Sequence, residues 1–135
     1  MLRIALIQNQ VGPDRAENLE RALGSMRSAR EAGAGLVTFP ELALDRFFPQ
    51  YRTCGWADSV AEPIPGPTTD RVAAAARELG LVTVFNLYER DAEGRRFDSS
   101  PVFDADGSLL GVTRMVHITD YEGFHEQAWY HPNRR

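Results

Sequence analysis

The order of apolar runs in this 135-residue chain predicts an α/β fold, a mixed β-sheet with its helices on one face. Three observations carry the prediction. Two strand patterns flank a capped helical pattern between Met1 and Phe39, which is a β-α-β unit. A second helix with its own start and stop signals lies between Gly66 and Gly80. Three further strand patterns then follow, joined by links too short for a crossover.

Met1 to Gln8 reads as a buried first strand, because Ile4, Ala5, Leu6 and Ile7 form a nearly continuous apolar run. Asp14-Arg15-Ala16-Glu17 has the form of a capping box. Leu19, Ala22, Leu23, Met26 and Ala29 then recur at helical spacing as far as Gly33. Gly35 to Phe39 is the second strand, expected to run parallel to the first. From Pro40 to Pro65 the periodicity is lost, and Phe47, Phe48, Tyr51 and Trp56 are mixed with prolines and charges. A connection of that length is expected to hold short helices and to form a pocket wall.

Pro67 suits a first helical position, Val72, Ala73, Ala76 and Leu79 share one side, and Gly80 ends the helix. Leu81 to Tyr88, Arg96 to Phe103 and Leu109 to Ile118 are the third, fourth and fifth strands. Asp91-Ala92-Glu93-Gly94 and Asp104-Ala105-Asp106-Gly107 carry hairpin chemistry, so this half of the sheet is expected to be antiparallel.

Composition excludes several classes of function. A net charge of -4 with no basic block argues against nucleic acid as a partner. No apolar run approaches the roughly 20 residues that span a bilayer, and no signal-type segment opens the chain. The single cysteine, Cys54, allows neither an internal disulfide nor a cysteine-rich zinc site. A cytoplasmic protein with no membrane partner is therefore expected. All 15 basic residues are arginine, and the chain has no lysine.

Phe39-Pro40-Glu41-Leu42 sets an acid just past a strand, at the sheet edge where open α/β folds place their chemistry. On that segment alone the simpler reading is that Glu41 caps the next turn or helix. Three histidines, His117, His125 and His131, lie near Asp120, Glu122 and Glu126, but their spacings match no metal motif.

Read in order, the strand ending in Gln8, Phe39-Pro40-Glu41-Leu42, Gly66-Pro67-Thr68-Thr69, Glu89-Arg90 and the stretch from Asp98 to Gly107 resemble the nitrilase superfamily of carbon-nitrogen hydrolases. The blocks Gly111 to Ile118, Phe124 to Gln127 and Tyr130-His131-Pro132 extend the resemblance over nearly the whole chain. It implies a four-layer α-β-β-α sandwich, of which residues 1–135 form the N-terminal portion. The activity implied is hydrolysis of a small non-peptide amide or carbamoyl compound by copies that pair, with neither metal nor organic cofactor.

By motif position Glu41 resembles the family's general base and Glu126 its second glutamate. These two acids are expected to share an enclosed cavity. Phe47, Tyr51 and His125 are the candidate substrate-binding residues, from the aromatic loop and the site rim. Met115, after Arg114, stands at the position of the family's oxyanion-stabilising lysine, and methionine donates no hydrogen bond. Arg114 is a poor substitute, because strand alternation points it to the other face. The family's cysteine nucleophile lies on a later strand, so Cys54 is read as an ordinary cysteine and the chain as lacking its nucleophile. An inactive fragment is therefore expected, its uncovered sheet face favouring association. A non-catalytic, nitrilase-like binding or regulatory module is the alternative.

Overall fold

A computed structural model of the protein describes residues 1–133. β1 (Ile4–Leu6), β2 (Leu36–Thr38) and β3 (Val82–Val84) pair in parallel. β4 (Leu87–Arg90), β5 (Arg96–Phe103) and β6 (Leu109–Arg114) form antiparallel hairpins, and β5 also pairs antiparallel with β3. The result is a mixed sheet.

α1 (Arg15–Glu31) starts at Asp14, whose Oδ1 accepts from the Ala16 and Glu17 amides at 2.9 and 3.1 Å. α2 (Ala57–Val60) is a single turn within the long connection, as is the 3-10 turn Phe48–Gln50. α3 (Pro67–Leu79) has Pro67 in its first turn and stops at Gly80, whose left-handed φ of 60° favours glycine. Ala22, Leu23 and Met26 of α1 and Val72 and Ala76 of α3 pack with Val37, Phe39, Phe85, Leu87 and Phe103 of the sheet. Both long helices therefore cover the same face, as expected.

Three strand expectations need correction. The first strand is not buried, because Ile4 and Leu6 are 53% and 77% exposed. They point away from the helices, and among the described residues no layer covers that face. The third strand is two strands with one register toward β5, interrupted at Phe85 and Asn86. The break has a local cause: the Phe85 amide donates to the Pro101 carbonyl at 3.1 Å, and Pro101 has no N–H to return the bond. The fifth strand ends at Arg114 rather than Ile118, although the Met115 amide still donates to the Asp98 carbonyl at 2.9 Å.

Asn86, freed from the ladder, ties the next layer down. Its Oδ1 accepts from the Leu42 amide at 2.6 Å, and its carbonyl accepts from the Ala43 amide at 3.2 Å. The turn leaving β2 is thus clasped by the break between β3 and β4.

Candidate active site

The site lies on the sheet face opposite the helices, where the β2 turn, β5 and the C-terminal segment meet. Leu42, next to Glu41, is buried with φ of 48°, a left-handed conformation that costs a non-glycine residue about 1–3 kcal/mol. Asn86 holds it there. The same side chain donates from Nδ2 to Asp98 Oδ1 at 2.5 Å and to Ser100 Oγ at 3.0 Å. One asparagine therefore connects the turn bearing Glu41 to the carboxylate of Asp98.

The C-terminal segment is docked by aromatic packing. Phe48 meets Tyr88 and Trp129 with ring centroids 4.9 and 5.0 Å apart, and Tyr88 meets Tyr130 at 5.6 Å. Trp129 Nε1 donates to the Tyr51 carbonyl at 2.8 Å, and the Tyr88 hydroxyl donates to the Trp129 carbonyl at 3.1 Å. This packing brings the Tyr130 hydroxyl to Glu41 Oε1 at 3.3 Å. Burial, followed by the negative charges of Glu41 and Asp98, holds the Tyr130 phenol above its ordinary value, so it remains a donor.

Glu126 is buried in a 3-10 turn (Glu126–Ala128), and its Oε2 accepts from the Thr119 amide at 3.0 Å. Its charge reaches Glu41 and Asp98. Desolvation, then repulsion from Asp98 and Glu126, pushes the Glu41 carboxyl up to about 8, against a smaller downward pull from the Tyr130 bond. Desolvation also raises Asp98, opposed by its hydrogen bonds to Asn86 and Glu41 and then assisted by the charge of Glu126.

Glu41 and Glu126 are thus brought to one place, joined by Asp98 and Tyr130. The expected enclosure is not found. Glu41 is exposed as a residue, because the uncovered sheet face continues past it, while its carboxyl end is hemmed in by the other two acids. An open cleft beside it is lined by Val116, His117, Ile118, Gln127, Tyr130 and Pro132.

Phe47 packs on Phe124 at 5.5 Å and borders the aromatic cluster. Tyr51 is exposed, and its backbone is what ties it to Trp129. His125 is buried, with Nδ1 at 3.0 Å from Asp120 Oδ1. Met115 is half-buried and lies directly across from Asp98 on the neighbouring strand, which puts both side chains on one face. Arg114 points to the other face, where it forms a two-pronged pair with buried Glu89, its Nε at 2.7 Å from Oε2. Cys54 packs at the edge of the aromatic cluster.

Asp98, Asn86 and Tyr130 had no role in the sequence reading. No local signal marked Asp98: counting back from the Asp104–Gly107 hairpin puts it opposite Arg114, and only the register shift between Val102 and Phe103 brings it opposite Met115. Asn86 interrupts an otherwise apolar run, which marks a strand break. Nothing local marked Tyr130, whose contact with Glu41 spans 89 residues.

A model of the carbon-nitrogen hydrolase family matches residues 3–134. The chain is 35% identical over 125 residues to the omega-amidase NIT2 of Bos taurus, covering 89% of this chain and 42% of that protein. It is 31% identical over 133 residues to the N-carbamoylputrescine amidase of Solanum lycopersicum, covering 98% and 44%. It therefore spans less than half the length of these relatives. Among solved structures, the carbon-nitrogen hydrolase of Helicobacter pylori G27 shares the fold, with a TM-score of 0.87 at 24% identity over 98% of this chain and 45% of that one. An amidase from Nesterenkonia sp. AN1, in a form with acrylamide added at its active-site cysteine, matches with a TM-score of 0.79 at 26% identity, covering 100% and 51%.

Proposed function

Because the chain belongs to the carbon-nitrogen hydrolase family, we propose that it supplies the general-base half of an amidase site, with Glu41 as the base and Glu126 as the second acid. The observation that carries this reading is the convergence of Glu41, Glu126 and the Tyr130 hydroxyl on one sheet face.

A thiol is mostly protonated at neutral pH, so attack on a carbonyl needs a base in reach with a proton affinity near the operating pH. The cluster raises the affinity of Glu41 into that range. Glu41 takes the thiol proton as sulfur attacks the carbonyl carbon and returns it to the departing nitrogen, leaving an acyl-enzyme that water hydrolyses.

Cys54 sits against the aromatic cluster and is not assigned the attack. In this reading the thiol belongs to the part of the hydrolase that residues 1–135 do not include, its relatives being more than twice as long. These residues alone should therefore turn over no substrate. Phe47, Tyr51 and His125 are proposed to shape the substrate pocket once it is closed. The amidase and N-carbamoylputrescine amidase names of the relatives set amides and carbamoyl amines as the substrate class to test. A cytoplasmic setting and pairing of full-length copies belong to the same proposal.

Met115 favours a second reading, in which the fold binds a ligand without hydrolysing it. An oxyanion developing beside a methionine gains no donor from it. Ammonia release from small primary amides such as acrylamide and from N-carbamoyl amines, measured on the full reading frame and on residues 1–135, separates the readings. Release by the full reading frame only supports the proposal. Ligand binding without release supports the second reading, and release by residues 1–135 alone would overturn the assignment of the thiol.

A further inference from the structure

We infer that Asp98 and Glu41 share one proton, and that this proton does the charge-balancing work that a fixed ammonium would otherwise do at the site. The inference rests on the reading of Glu41 as the base and makes Asp98 its positioning residue.

Asp98 is only 4% exposed. Its Oδ1 accepts from Asn86, while its Oδ2 is buried with no hydrogen-bond partner among the described residues. A buried carboxylate oxygen without a donor is unfavourable, and the groups around this one make it worse. Glu41 of the β2 turn is in side-chain contact with it, and Glu126 of the 3-10 turn adds a third negative charge.

Among the described residues, the remaining neighbours direct no cation at Asp98. Tyr130 directs its hydroxyl to Glu41, and Tyr88 of β4 directs its hydroxyl to the Trp129 carbonyl. Arg96 of β5 pairs with Asp58 at 3.1 Å. Arg114 of β6 is committed to Glu89 on the opposite face, and Met115, directly across from Asp98, is uncharged. With no lysine in the chain, a hydrogen atom carried between the two carboxyls would satisfy Asp98 Oδ2 and remove one of the facing charges. Two carboxylates in contact repel, whereas an acid and a carboxylate form a strong, short hydrogen bond.

The position of the proton then decides whether the base is available. On Asp98 it leaves Glu41 as the carboxylate that accepts the thiol proton. On Glu41 it blocks that step. The shared proton is not consumed, because the one taken from the thiol leaves with the nitrogen.

Infrared spectroscopy of the protonated-carboxyl band and ¹³C titration of labelled Asp and Glu carboxyls read this state directly on residues 1–135, without substrate. The infrared band is readable in concentrated or aggregated samples. The wild type should hold one protonated carboxyl at about pH 6, well above the ordinary carboxylate range. Asp98→Asn should move the loss of that band to lower pH, because Glu41 then loses its acid partner and keeps only its desolvation and the charge of Glu126, and Met115→Lys should lower the titration by about one pH unit or more. Two ionised carboxyls at about pH 6 in the wild type, or a titration that either variant leaves unmoved, would overturn the inference while leaving the assignment of Glu41 as base intact. A full-length Glu41→Gln variant of unchanged turnover would do the reverse.

Discussion

Replacing Asn86 by Ala removes three side-chain hydrogen bonds at once, to the Leu42 amide, Asp98 Oδ1 and Ser100 Oγ. Neutral bonds contribute about 1 kcal/mol each and a bond to a charged group about 1.5–3. The Leu42 amide would also be left buried without its acceptor, beside a left-handed backbone conformation that no side-chain bond then supports. We expect a loss of about 4 kcal/mol, a large share of the 5–15 typical of a domain. With a urea slope of about 2 kcal/mol/M, the unfolding midpoint should fall by about 2 M. A fall below about 0.5 M would show that Asn86 does not hold the Glu41 turn, and the account of how that turn is aimed would fail.

Arg114→Ala should cost about 3 kcal/mol, because it strands the buried Glu89 carboxylate; unfolding in urea measures it, and a loss near zero would mean the pair is solvated. Tyr130→Phe should raise the Glu41 titration further, since the lost donor favours the carboxylate, as ¹³C carboxyl shifts would read. The raised pKa of Glu41 means that the folded state binds the proton more tightly than the unfolded chain. The stability of residues 1–135 should then fall as pH rises from about 4.5 to about 8, and Glu41→Gln should flatten that slope. Leu6→Lys on the uncovered sheet face should reduce self-association of these residues in light scattering, since Leu6 is 77% exposed.

Much of this was legible because it is local. The Asp14 cap, the Gly80 stop and the two Asp-Gly hairpins each act through residues a few positions apart, and the structure places them where the pattern predicted. The strand break was less legible, because it depends on Phe85 facing Pro101 across a ladder whose register no single segment states. Ile4 and Leu6 read as buried because an apolar run reports what a segment could bury, not what lies over it. At the site, Glu41 and Glu126 were found by resemblance to a motif. Asp98 and Tyr130 became visible only when β5, β6 and the aromatic cluster had been assembled, since their roles are relations between distant segments.

The central claim is that Glu41 moves the proton in carbon-nitrogen bond hydrolysis. Its most direct test is the rate of ammonia release by the full reading frame with Glu41 and with Glu41→Gln, at matched folding and saturating amide. The account predicts a loss in kcat of about 100-fold or more. A variant within a few-fold of the wild type would contradict it.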